Sequence, residues 1–182
     1  MKKLGIAASV AMWCALVVIG ASTLYVYKGT AGDSELAPSE WPTASALLHE
    51  GITVVMFVHP ECPCTRASIA ELATVIRAKK PGTLTIVVGG DPDRVGGRLD
   101  ALHGARVVID RDGVEAARFG AKTSGHVVAY DARGTLAFSG GITPARGHIG
   151  DNIGRQSLER VLAGRSPTDE RRAVLGCSLE TQ

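Results

Sequence analysis

An apolar run, Val54-Val55-Met56-Phe57-Val58, breaks at His59-Pro60 and leads through Glu61 into Cys62-Pro63-Cys64. A run that is apolar at every position must be buried on both faces, as a central strand of a parallel sheet is. Beyond the cysteines, Ala67, Ile69, Ala70, Leu72, Ala73, Val75 and Ile76 give residues 64–79 the apolar face of a helix, and Pro81-Gly82 stops it. The segment therefore predicts a buried strand over residues 52–58 that delivers two thiols to a helix N-terminus. There, free backbone N–H groups and the helix dipole stabilise a thiolate. A sulfur so placed can attack a disulfide or bind a soft metal ion.

The remaining elements follow in order. Residues 43–50 read as a brief helix ended by Gly51, and residues 83–88 as a second buried strand. Residues 93–103 suit a short helix weakened by Gly96 and Gly97, residues 106–109 a short strand, and residues 113–119 a short helix. Residues 126–130 and 135–139, joined by Asp131-Ala132-Arg133-Gly134, read as a hairpin. A last helix covers residues 152–163. This order predicts a central mixed sheet flanked by helices, with the cysteines at the carboxyl end of a central strand.

The N-terminus is different in kind. Lys2 and Lys3 precede residues 4–27, which carry no charge. About 20 apolar residues cross a bilayer, so the run is long enough. The lysines, with Tyr25 and Tyr27 at the far end, suit an N-terminus on the cytoplasmic side. The competing reading is a signal peptide, whose apolar core is ordinarily shorter. Cys14, preceded by Trp13, reads as a small apolar residue of that helix rather than a lipid-attachment site. Residues 1–28 are thus expected to be a transmembrane anchor or uncleaved signal, and residues 29–42 a polar tether. The folded domain would occupy residues 43–165, followed by a polar tail at 166–182 carrying Cys177. The expected location is the inner (cytoplasmic) membrane, single-pass, with the domain on the periplasmic or extracytoplasmic side, where disulfides persist. A net charge of +2, with no block of Lys and Arg, argues against a nucleic-acid partner.

The strand ending in Phe57-Val58-His59-Pro60-Glu61-Cys62-Pro63-Cys64, the hairpin from Val127 to Leu136 and the closing helix together resemble the thioredoxin fold. More narrowly, the chain is similar to the membrane-anchored thioredoxin-like proteins labelled RedB. The residues that carry this are the His59–Ser68 run, Gly140-Gly141-Ile142-Thr143, the stretch from Arg146 to Gly154, and Gly176-Cys177. The resemblance implies an α/β thioredoxin-like fold, redox-active cysteines, and a partner that is either a protein thiol or disulfide or a metalloprotein under assembly. No cofactor is required by that chemistry. Two departures stand out. One residue, Pro63, separates cysteines that the family usually spaces by two. Gly125, between Ser124 and His126, stands where the family places a cis-proline facing the thiols.

For thiol–disulfide exchange, Cys62 is expected to attack and Cys64 to resolve, with Pro63 holding the turn. A disulfide between cysteines so close would close a small, strained ring and lie toward the oxidising end of the range. Glu61 opposes thiolate formation unless something pairs with it. Cys177 is a further candidate, as a second resolving thiol, a ligand or an intermolecular bridge. The alternative is a Cu(I) or other soft-metal site built from Cys62 and Cys64, with Cys177, His59, His126 or His148 as further ligands. His126, expected beside the thiols with Gly125, could instead lower a thiolate pKa. His148 lies in a glycine-rich stretch in which Asp151 or Asn152 caps the last helix, or which binds an anion. A thioredoxin-fold peroxidase ranks third, because the threonine its site needs before the attacking cysteine is absent between Met56 and Glu61.

Overall fold

A computed structural model describes residues 2–33 and 35–179. It divides into two compact units, the first ending at Thr30 and the second beginning at Ala31. The first is the helix α1 (Lys2–Gly29). Its stretch Ser9–Gly29 is 21 residues long with a mean hydropathy of 1.9, enough in length and composition to cross a membrane. Thr23 and Thr30 return their hydroxyls to carbonyls four residues earlier, so neither adds an unpaired polar group to the helix surface.

The second unit is built on a five-stranded sheet. Strand β1 (Thr53–Val58) is followed by α2 (Thr65–Ala78), β2 (Thr83–Val88), β3 (Arg106–Ile109), α3 (Val114–Arg118), β4 (His126–Tyr130), β5 (Leu136–Gly140) and α4 (Ile153–Leu162). The strand order is β3-β2-β1-β4-β5. Strands β1, β2 and β3 run parallel, and β4 pairs antiparallel with both β1 and β5. All six residues of β1 and of β2 are buried, Thr53, Thr83 and Thr85 included, as central strands covered on both faces are.

Alternation along β1 divides the core in two. Val54, Met56 and Val58 share one buried cluster with Ile69, Leu72 and Ile76 of α2 and with Leu158, Val161 and Leu162 of α4. Val55 and Phe57 belong to a second cluster with Phe119, Val128, Tyr130 and Leu136. On this second face Trp41 meets Phe119 and Tyr130 edge-on, with ring centroids 5.1 and 5.3 Å away. Helix α2 is thus clamped along its length, and its N-terminus is fixed at the carboxyl end of the central strand.

Three expectations are corrected. Residues 43–50 form turns rather than a helix, because Ser45 Oγ and the Ala46 N–H bond the Glu115 carboxylate at 2.6 and 3.1 Å. Residues 93–103 hold two 3₁₀ stretches, Pro92–Arg94 and Gly96–Ala101, since Gly96 takes φ 55° and interrupts any continuous helix. Much of the expected tether is packed structure. Ala37 is buried, the Tyr130 hydroxyl donates to Pro38 O at 2.9 Å, and the Trp41 N–H donates to Gly134 O at 2.7 Å. Apolar side chains at 37 and 41 outweigh the polar residues around them.

The glycine-rich stretch before α4 also has its explanation. Asn152 is the N-cap of α4, accepting from the Arg155 N–H at 2.9 Å. The fully buried Glu71 of α2 accepts from the Gly150 N–H at 2.6 Å and from Arg155 Nη1 at 3.1 Å. A carboxylate of the chain itself thus occupies the Gly150 amide, where an anion was one of the expectations.

Candidate functional site

Cys62 follows the turn that ends β1, its N–H donating to His59 O at 3.2 Å. Pro63 supplies a preset φ and no donor, and Cys64 is the N-cap of α2. The turn is fastened from its side. Thr65 Oγ1 donates to His59 O at 2.8 Å, and the Ser124 hydroxyl lies 3.0 Å from Thr65 Oγ1 while accepting from the His59 N–H at 2.9 Å. Glu61, which would oppose a nearby thiolate, is paired with Arg94.

The third sulfur arrives from the far end of the chain. Residues 170–172 run beside β5, with the Arg172 N–H donating to Ser139 O at 2.9 Å. The segment then crosses to residues 122–124. There the Ser124 N–H donates to Cys177 O and the Leu179 N–H to Lys122 O, both at 2.8 Å. Gly176 is required by close approach, because a Cβ there would lie 1.9 Å from Ser124 O. This pairing sets Cys177 Sγ 2.9 Å from Cys62 Sγ. The sulfurs of Cys62, Cys64 and Cys177 all lie within 4.8 Å of one another. Cys62 and Cys64 are buried and Cys177 is half-buried.

The three thiols differ in their readiness to ionise. Burial opposes ionisation of Cys62, but hydrogen bonds from the Cys177 thiol, the Cys177 and Cys64 backbones and the Cys64 thiol outweigh it and hold its pKa below the ordinary value. Cys64 is pushed up by burial and by the charge of Cys62, with Arg146 pulling the other way. Cys177 is pushed up to about 12 by burial, by its hydrogen bond to Cys62 and by the charges of Cys62 and Cys64, again against Arg146. The site therefore favours one thiolate, on Cys62, served by two S–H donors.

Arg146 is the residue that sequence reasoning missed. Its guanidinium donates to Gly176 O, so it holds the C-terminal segment and bears on two of the sulfurs. In the sequence it counts only as the first residue of the 146–154 stretch, with no role at the thiols.

His126 is not beside the thiols. Its register partner on β1 is Phe57, with ring centroids 6.4 Å apart, and Phe57 faces the second core cluster, whereas α2 covers the first. The imidazole lies 2.9 Å from Ser139 Oγ, and burial lowers its pKa to about 4, which leaves it neutral. His148 Nδ1 meets Arg146 O at 2.7 Å. Among the described residues, the group of clustered ligand atoms consists of the three sulfurs, without His59, His126 or His148. Gly125 has φ 92°, its N–H donates to Phe57 O at 2.8 Å, and a Cβ would come within 2.6 Å of Ser68 Oγ. Backbone and space both call for glycine there.

A cavity of about 540 Å³ lies beside Leu179, lined by Phe57, Val87, Ala116 and Asp110 among others. None of the four cysteines lines it.

Comparison with family models and with curated proteins finds no match. Solved structures do match. An uncharacterized conserved protein from Geobacillus kaustophilus superposes with a TM-score of 0.61 at 16% identity, over 85% of this chain and 95% of that one. A hypothetical protein from Sinorhizobium meliloti gives 0.57 at 20% identity, over 84% and 95%. The unit beginning at Ala31 has a thioredoxin-like fold. A secreted Mycobacterium tuberculosis disulfide oxidoreductase homologous to E. coli DsbE gives 0.49 at 21% identity, over 64% of this chain and 84% of that one. At these identities the first two likenesses bear on the fold alone.

Proposed function

We propose that this chain is a thiol–disulfide oxidoreductase, held by α1 as a single-pass anchor in the cytoplasmic membrane with its thioredoxin-like domain on the extracytoplasmic side. The observation that carries the reading is the cluster of three sulfurs at the N-terminus of α2, in which Cys62 is held toward the thiolate and its neighbours toward the thiol. Cys62 attacks a disulfide of a partner protein, and a neighbouring thiol resolves the mixed disulfide. A protein partner suits sulfurs that do not line the 540 Å³ cavity. The likeness to the RedB-like group supports the anchored arrangement.

One observation favours a second reading. Three sulfurs within 4.8 Å form a compact soft-ligand set that would suit Cu(I). Native mass spectrometry of the detergent-solubilised full chain separates the two. The exchange reading expects the untreated chain to be about 2 Da lighter than the reduced one, reversibly, with no metal retained after anaerobic exposure to Cu(I) and removal of excess. A stable one-copper adduct that disappears in Cys62→Ser and in Cys64→Ser would make the chain a metal carrier instead.

A further inference from the structure

The C-terminal segment both covers and completes the thiol site. Cys62 is 2% exposed, and the residues that bring Cys177 against it are 176–179. That short segment is fixed at both ends of its contact: the Ser124 and Lys122 backbones receive it, Arg146 grips Gly176 O, and Leu179 packs on the second core cluster. Cys64 is placed differently. It caps α2, where the Ala67 and Ser68 N–H groups donate to its carbonyl at 3.0 and 3.2 Å, and one residue separates it from Cys62. Bonding Cys62 to Cys64 means closing a small ring within a turn already fixed by backbone hydrogen bonds. Cys177 comes from a separate segment, 115 residues away in sequence, and closes no such ring.

We infer that Cys177, not Cys64, is the resolving cysteine, and that the oxidised chain is closed by a Cys62–Cys177 disulfide through its C-terminal segment. This deepens the exchange reading and rests on it. In the first step the Cys62 thiolate attacks one sulfur of a partner disulfide. A Cys62–partner bond forms, the partner's S–S bond breaks, and the departing partner sulfur keeps the bonding electron pair and takes up a proton. In the second step Cys177 gives its proton to solvent and attacks Cys62 Sγ. The Cys62–Cys177 bond forms and the other partner sulfur leaves as a thiolate. The partner disulfide gains two electrons and the chain loses two. The electrostatics suit this order: once Cys62 is in a mixed disulfide its charge no longer opposes ionisation of Cys177, while the pull of Arg146 remains.

The test is disulfide mapping of the detergent-solubilised full chain after exposure to glutathione disulfide, alkylation and tryptic digestion without reductant. Cleavage after Lys28, Arg66 and Arg172 puts Cys62 and Cys64 on residues 29–66 and Cys177 on residues 173–182. The inference expects these two peptides joined in the parent chain and in Cys64→Ser, whereas Cys177→Ser keeps one glutathione on Cys62. Separate peptides with the bond inside residues 29–66, together with glutathione retained by Cys64→Ser, would overturn it and leave the exchange reading standing. Exchange at the parental rate by Cys62→Ser would instead remove the exchange reading itself.

Discussion

A Cys62→Ser chain should reduce a disulfide substrate no faster than the uncatalysed background, while folding as the parent does. Serine fills nearly the same volume and can accept the same donors, but its hydroxyl does not ionise near neutral pH and cannot form the mixed disulfide. The neighbouring thiols cannot take over. Cys64 and Cys177 are both biased toward the protonated form, Cys177 as far as about 12, and the thiolate is the reacting species. Thiolate ultraviolet absorbance provides a second readout. Because the Cys62 pKa lies below its ordinary value, the parent should keep one thiolate as the pH falls below the usual thiol range, and lose it with activity only as the pH falls through the lowered value. Cys62→Ser should lack that low-pH thiolate altogether. A variant with the parental absorbance profile would assign the activated sulfur elsewhere.

Gly176→Ala should slow the resolving half-reaction. A Cβ at 176 would lie 1.9 Å from Ser124 O and 3.1 Å from Thr123 Cγ2. The first of these is backbone held by its neighbours, so the C-terminal segment has to move. Overpacking of this kind costs about 1–3 kcal/mol, equivalent to roughly 5–150-fold in a population or rate. Displacing the segment carries Cys177 away from Cys62. It also removes the Cys177 hydrogen bonds that hold Cys62 toward the thiolate, so the first attack gains exposure but loses activation. Release of glutathione from the Cys62 mixed disulfide should be slower than in the parent by about that factor, which rapid-quench mass spectrometry reads. Unchanged release would mean that the segment does not supply the resolving thiol.

The strand carrying Cys62 and Cys64 into α2 was legible because the signals there are local and agree with one another: a fully apolar run, a proline stop and a helical repeat. Strands β2, β3 and β4 have the bounds their sequence suggests for the same reason. The errors came where distant partners decide. Residues 43–50 have helical composition, yet Ser45 and Ala46 spend their hydrogen bonds on Glu115. His126 follows Gly125 in the segment expected to face the thiols, but strand alternation turns its ring toward Phe57 and Ser139. Cys177 could be flagged as an unpaired thiol, but not placed. Its position depends on two backbone hydrogen bonds to residues 122 and 124 and on the absence of a Cβ at 176, and neither leaves a periodic trace in the tail.

The central claim is that Cys62 belongs to a reversible dithiol. Equilibrating the full chain with glutathione buffers of graded ratio, quenching with acid and counting alkylated cysteines by mass tests it most directly. The account predicts that two of the four cysteines pass from thiol to disulfide together in one reversible transition, and that Cys62→Ser shows none. Four free thiols at every ratio would contradict it.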